Sequence, residues 1–524
     1  MTHTTTEPAV PAGWYPDPGD PGQHRYWDGA AWTVHTHPLQ GPGGLAPATR
    51  RTNTRWWVIG VACVAALVVI GVVVAVVSTR EDPYPSAWDP RVVDFVDFVE
   101  QERGLDFDHP VEIEMVPDDE FAASVRIDET EFDEEDLEQV SSSEAQLRAF
   151  GLIDGTTDLV DTTSAMRSAG ILAYYSPEER KVYVRGTELT PAVEATLVHE
   201  LVHALQDQRF DLREMEAGSP DPGAVRAIVE GDATRIENAF VAQLPASEQD
   251  AISDEHDSGY EESGLDSMPD ALVAATAAPY ALGEPAVGVL AARGGNSEVN
   301  QAFLKPPSAD VQILDPRRLA EDPPEPVELP IVPDGAATVS SGDTYGALFW
   351  DIVLARRVGI HPALEFADAW HGDTSVTYES AAGRTCTTAA IRGTDAPTAE
   401  MMQSILEGWL AAGSQPIDEH TFARTRASER DVVELGVCDP GPDSAAPGED
   451  NARQALALAA IRLELERQAL ELGQGFTAAR CFGDGVASSL DASDLADEAD
   501  PAAVQAKVAA VAEATGARCF SPPG

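Results

Sequence analysis

Hydrophobic positions recur along this chain with different periods, and each period predicts a different element. Val92, Phe95, Val96 and Val99 in RVVDFVDFVEQERGL stand at helical intervals and predict an amphipathic helix. VEIEMV at 111–116 alternates instead, which predicts a strand with one buried face. ILAYYSPEERKVYVRG at 171–186 holds two β-rich runs about a charged turn and reads as a hairpin. Thr190-Pro191 then supplies a capping residue followed by proline at the first helical position, opening a helix over PAVEATLVHELVHALQDQ. Asp221-Pro222 opens a second, at 221–244, whose apolar stripe is Val225, Ile228, Val229, Ile236 and Phe240. Further on, 345–359 reads as a mainly apolar helix, 375–393 as a hairpin, and 451–473 as a long helix ended by Gly473.

One stretch has no period at all. WWVIGVACVAALVVIGVVVAVVST, at 56–79, carries no charge and is long enough to cross a bilayer core of about 30 Å as a helix. Arg50, Arg51 and Arg55 precede it, and Trp56 and Trp57 stand where an interfacial aromatic anchor belongs. The expectation is a single uncleaved transmembrane helix, with residues 1–55 as a cytoplasmic tail, 80–90 as a linker and the rest outside the cytoplasm. Cys63 lies in that span, and Cys386, Cys438, Cys481 and Cys519 follow it, an even number in a compartment that permits disulfides. Four cysteines allow three pairings, and the shorter loops favour Cys386 with Cys438 and Cys481 with Cys519. None forms a close CxxC pair, which argues against a cysteine zinc site.

Composition removes some functions. The chain has 524 residues, 43% of them hydrophobic, enough for a sizeable core and more than one folded unit. Its formal charge of −55, from 89 acidic against 34 basic residues, argues against attraction to a phosphate backbone, so nucleic acid is not an expected partner. Acidic runs such as 117–139 lack the oxygen spacing of an EF-hand and read as solvated surface. No phosphate loop, dinucleotide fingerprint or internal repeat stands out. In the tail, residues 11–37 set Trp14, Tyr15, Tyr26, Trp27 and Trp32 among glycines and prolines, a very small turn-and-strand unit held by aromatic packing. Through GWYPDP, RYWDG and WT this segment resembles a short bacterial domain of unknown function found at the amino termini of many membrane proteins. The resemblance implies an interaction module with a cytoplasmic partner. His24, His35 and His37 have neither partner cysteines nor helical spacing, so they do not make a metal site.

The chemistry lies on the helix after Thr190. A turn of 100° per residue puts Thr196, His199, Glu200, His203, Gln206 and Asp207 on one arc, and Leu197, Val198, Leu201, Val202, Ala204 and Leu205 opposite. HELVH is an HExxH motif: residues four apart project side by side, so two imidazoles reach one tetrahedral zinc ion (Zn2+) while Glu200 lies beside the water that the ion acidifies. The third ligand should come from the second helix, where Arg226, Glu230, Thr234 and Glu237 share a face. Glu230 is the candidate, and a surface pair with Arg226 is its bland alternative. Asp232 points about 200° away from Glu230 and is expected to matter little. Gly231 weakens a helix interior and makes sense if backbone must come near the site.

HELVHALQDQRFDL together with VEGDATRIE resembles the gluzincin class of zinc peptidases, in which the HExxH helix gives two histidines and a later helix a glutamate. The resemblance implies His199, His203 and Glu230 as ligands, Glu200 as catalytic base, and Glu237 as the acidic residue two turns on. It extends to an uncharacterised bacterial family of membrane or secreted metallopeptidase-like proteins, from FVEQERGL through YYSPEERKVYVRG to PYALGEPAVGVLAARGG and FLKPPSADVQILDP. That family has a histidine where this chain has Asp315. The expected fold is α+β: a zincin-like metallopeptidase domain at 91–320 with a mostly helical extension at 321–524, preceded by the transmembrane helix and the small aromatic module. The expected function is hydrolysis of peptide or protein substrates by a zinc-bound water activated by Glu200. The alternative is a catalytically inactive envelope scaffold or sensor. Asp207 reads either as an acceptor that orients a ligand imidazole or as a surface carboxylate. Tyr280, Tyr345 and His371 are candidate donors to an oxyanion, Tyr280 first.

Overall fold

The computed structural model describes residues 13–17, 20–27, 32–38, 84–125, 132–168, 171–263, 265, 268–324, 326–413, 417–444, 451–496 and 499–520. They fall into two compact units, Met1–Asn53 and Thr54–Gly524. In the first, β1 (Gly13–Asp17), β2 (Asp20–Trp27) and β3 (Trp32–Pro38) form an antiparallel sheet in that order, with Gly13 opposite Trp27 and Trp27 opposite Trp32. This is the turn-and-strand unit that the Gly and Pro punctuation predicts.

The second unit begins its described part with α1 (Val93–Arg103), whose Val96 and Val99 are buried as their spacing requires. Strands β4 (Glu112–Val116), β5 (Ala173–Ser176) and β6 (Lys181–Arg185) form a sheet of order β4-β6-β5. β5 and β6 are the expected hairpin, and β4 lies parallel to β6 with Ile113 opposite Val182. Helix α2 (Pro191–Phe210) follows; the Thr190 hydroxyl accepts the Val193 N–H at 3.2 Å, and Pro191 takes the first turn, where no N–H is needed. Helix α3 (Pro222–Val241) starts the same way, with the Asp221 carboxylate accepting from Ala224 N at 3.0 Å. The predicted apolar arc of α2 is buried: Leu197, Val198, Leu201, Val202 and Leu205 share one cluster with Val96 and Val99 of α1, Val182 and Val184 of β6, and Ala233 and Ile236 of α3.

Helix α4 (Asp270–Gly294) packs against α3 on one side and against α7 (Ala452–Glu471) on the other. Its approach to α3 is backbone to backbone. A Cβ at Gly231 would fall on the Gly283 carbonyl, and one at Gly283 on the Ala227 carbonyl, so both positions must lack a side chain. Beyond α4, strands β7 (Ala337–Asp343), β8 (Trp370–Glu379), β9 (Thr385–Gly393), β10 (Phe422–Thr425) and β11 (Val432–Cys438) make an antiparallel sheet of order β10-β11-β9-β8-β7. Helices α5 (Ala347–Val358) and α6 (Ala396–Ala412) pack together, and both share the large core with α4 and α7. Cys386 and Cys438 face each other across β9 and β11 and are disulfide-bonded. A second disulfide, Cys481 to Cys519, ties α8 (Phe476–Ala487) to the end of α9 (Pro501–Cys519). Both pairings are those the loop lengths favour.

Two expectations are corrected. The described residues form a mixed α and β fold in which no helix spans a membrane. Among the described residues no helix is long and apolar enough to cross a membrane, and residues 56–79, where that helix was expected, lie outside them. The long apolar helix that the structure does describe, α4, spends its apolar surface on α3 and α7 rather than on lipid. The single-pass membrane placement, and the cytoplasmic tail and external catalytic domain that followed from it, are dropped. The region 321–524, expected as helices with one hairpin, holds a five-stranded sheet beside its helices. β11 escaped notice because all its residues are buried, which leaves no alternation to read.

The Gly231–Gly283 crossing sets two effects of opposite sign against each other. Alanine at Gly231 should gain up to about 1 kcal/mol in helix propensity and lose about 1–3 kcal/mol to overpacking. Urea unfolding of Gly231→Ala and Gly283→Ala is expected to show net destabilisation; stabilisation by either would mean that the helices are free to separate.

Candidate metal centre

Helices α2 and α3 bring His199, His203 and Glu230 together. Glu230 Oε2 stands 3.2 Å from Nε2 of His199 and 3.2 Å from Nε2 of His203, and the ligand atoms of all three lie within 4.8 Å of one another. Tetrahedral zinc with bonds of about 2.0–2.1 Å needs ligand atoms roughly 3.3 Å apart, so both measured edges suit a shared ion. In the absence of an ion each Nε2 must carry a proton to make that contact. Burial opposes protonation of both rings, yet the Glu230 carboxylate outweighs it at His203, and Glu230 with Glu237 outweighs it at His199, which is held well above its usual range. Burial would raise Glu230, but the two imidazoles hold it below the usual carboxylate range. Two imidazoles and a carboxylate are a donor set that could hold a metal ion such as zinc.

The remaining ring nitrogens are occupied. His199 Nδ1 meets Glu237 Oε2 at 3.0 Å, and His203 Nδ1 meets Gln206 Oε1 at 3.0 Å. Glu237, two turns beyond Glu230, therefore meets the outer nitrogen of His199 and not the two nitrogens that Glu230 bridges. Glu200 is buried between the pair of histidines in sequence, and its Oε2 accepts the backbone N–H of Tyr175 at 2.7 Å. Burial pushes its carboxyl up from the usual value. Tyr175 sits on β5, the edge strand of its sheet, so the unpaired side of β5 faces the centre.

Among the candidate oxyanion donors the structure selects one. Tyr280, on α4 just before the Gly283 crossing, has its hydroxyl beside Glu230. The Glu230 charge, then burial, drives the phenol well above its usual value, so it stays protonated. The residue as a whole is 45% exposed. Tyr345 is buried far along the chain's other core, stacked on Phe349 with its hydroxyl donating to Gln146 at 3.3 Å. His371 accepts from Arg318 Nη2 at 3.2 Å. Neither is placed with the metal group.

Four residues need a new reading. Asp207 does not orient an imidazole: its Oδ2 accepts from the Tyr175 hydroxyl at 2.8 Å and its Oδ1 from Leu212 N at 3.2 Å. Asp315 caps the turn at Pro316–Ala320 and pairs with Arg317 at 2.5 Å, so the position where the resembling family has histidine serves structure here. Arg226 pairs with Glu216 at 3.4 Å. Asp232, expected to matter little, is fully buried and ion-paired with Arg103 at 2.6 Å and Arg235 at 3.0 Å. Helical angle alone missed it because the partner, Arg103, comes from α1.

Comparisons with known proteins add little to this geometry. Residues 12–44 match the family described as a protein of unknown function, DUF2510. No curated protein and no solved structure matches the chain.

Because both imidazoles are protonated above their usual range in the metal-free state, zinc must displace protons. Affinity is expected to rise with pH as the raised imidazole pKa values are passed, and titration calorimetry in buffers of different ionisation enthalpy should record proton release. Glu230→Gln should weaken binding strongly, while Glu237→Gln retains one equivalent. The reverse order of the two variants would move the ligand assignment to Glu237.

Proposed function

We propose that this chain is a zinc-dependent peptidase, with His199, His203 and Glu230 as ligands and Glu200 as general base. The observation that carries the reading is the placement of one Glu230 oxygen at 3.2 Å from both Nε2 atoms while Glu200, on the same helix arc, is held separately by Tyr175 N. Bound zinc would supply a Lewis acid that polarises a carbonyl and acidifies water. Glu200 does the proton work: Tyr175 N fixes Oε2, Oε1 takes a proton from the attacking water, and burial brings its basicity nearer neutrality. The same oxygen then passes that proton to the leaving amine. Tyr280, kept protonated, donates to the oxygen on which charge develops.

A peptide is the substrate class that the surroundings favour. An open groove of ≈ 990 Å³ is lined by Tyr175, which holds Glu200 through its N–H, and by Asp207, Arg180, Arg213, Phe303 and Leu304. β5 is an edge strand, the kind of edge along which an extended chain can pair. The alternative is an inactive scaffold that keeps the same histidines and glutamates.

A peptide-library digest read by mass spectrometry separates the two readings. The peptidase should cleave in a chelator-sensitive way with one equivalent of zinc. Glu200→Gln should lose roughly 10²–10⁴-fold in rate and Tyr280→Phe roughly 10²–10³-fold, both with zinc retained. Stoichiometric zinc without cleavage of any peptide would leave the scaffold.

A further inference from the structure

The two ligand histidines are held by unlike partners. His199 Nδ1 has a carboxylate, Glu237, which can only accept and so fixes the ring by itself. His203 Nδ1 has an amide, Gln206, which could present either its oxygen or its nitrogen. An amide free to turn would leave the imidazole without a defined tautomer.

Gln206 is not free to turn. Its Nε2 donates to the Val229 carbonyl at 3.1 Å and to Asp232 Oδ2 at 3.1 Å, which uses both hydrogens and leaves Oε1 for His203. Gln206 and Asp232 are fully buried or nearly so, and no solvent competes for these contacts. Asp232 is in turn locked from two sides. Arg103 Nε, from the last turn of α1, donates to Oδ2 at 2.6 Å, and Arg235 Nη2 donates to Oδ1 at 3.0 Å. Arg235 Nη2 also reaches Asn296 Oδ1 at 2.8 Å, while Asn296 Nδ2 holds the Glu102 carbonyl at 2.7 Å, a second brace between α1 and this corner. Arg103 is wholly enclosed, and neither Nη1 nor Nη2 finds a hydrogen-bond partner among the described residues. Its charge is committed to Asp232.

We propose that Arg103, Asp232 and Gln206 form a positioning relay that fixes His203 with its proton on Nδ1 and so presents Nε2 to the ion; this rests on the metal-centre reading above. Glu237 does the same for His199 in one step. The relay makes α1, which contributes no ligand, part of the machinery that sets metal affinity.

Asp232→Asn would strand the buried Arg103 charge and threaten the fold, so the test acts at Gln206. Three quantities are measured on Gln206→Leu: zinc affinity by chelator competition, the melting temperature of the metal-free protein, and the ring-nitrogen NMR signals of isotope-labelled histidine in the zinc-loaded protein. The relay predicts zinc affinity weakened roughly 10- to 100-fold and loss of the exchange-protected His203 Nδ1–H signal in a protein that still folds, with a melting temperature lowered by the buried groups left unpaired. Gln206→Met, which keeps chain length and removes only the amide, should behave alike if the leucine variant folds poorly. Affinity within about twofold of wild type, with the ring signal kept, would overturn the relay and leave the metal centre standing. A wild-type protein that takes up no zinc would overturn both.

Discussion

Two imidazoles and a shared carboxylate lie buried where α2 crosses α3, and everything around them compensates for that burial. Moving ionisable groups out of water costs several kcal/mol per ion unless each is paired and hydrogen-bonded. Here every ring nitrogen faces a partner: both Nε2 atoms face Glu230, His199 Nδ1 faces Glu237, and His203 Nδ1 faces Gln206. The partners come from few places. α3 gives Glu230, Glu237 and Asp232, α2 gives Gln206, α1 gives Arg103 and β5 gives the N–H that holds Glu200. Losing the packing of any one element would therefore leave a buried charge without its counterpart.

Small residues make the crossing close enough. Ala233 is fully buried in the α2 cluster, and Gly231 and Gly283 let α4 lie directly on α3. That contact sets Tyr280 beside Glu230, since Tyr280 is three residues before Gly283 on α4. α4 is held from behind by α7, and the core around them continues into the five-stranded sheet and its helices. The part of the chain after α4 supplies no ligand, but it buttresses the helix that carries Tyr280.

The sequence displays what is periodic and local. The arcs of α2, the caps Thr190 and Asp221, the β5–β6 hairpin and the HExxH spacing are all set by neighbours within a few residues, and each is where the pattern puts it. Glu230 was legible because it shares a helix face with Glu237. What stayed hidden depends on contacts distant in sequence. Asp232 looked idle because Arg103 is 129 residues away, and Asp207 stayed open between a histidine partner and a surface carboxylate because its partner, Tyr175, lies on another element. β11 hid because every one of its residues is buried, Glu434 included, which leaves no alternation to read. The long uncharged stretch at 56–79, read as a span from its length and its arginine and tryptophan flank, lies outside the described residues, among which no helix is long and apolar enough to cross a membrane.

The central claim is that His199, His203 and Glu230 are the inner ligands of one zinc ion. Zinc K-edge X-ray absorption of the loaded protein addresses it directly, because imidazole rings scatter in a recognisable outer shell. The account predicts a nitrogen and oxygen shell at about 2.0–2.2 Å with outer scattering from two imidazoles, reduced to one by His203→Ala. A sulfur shell near 2.3 Å, or an oxygen-only shell without imidazole scattering, would contradict it.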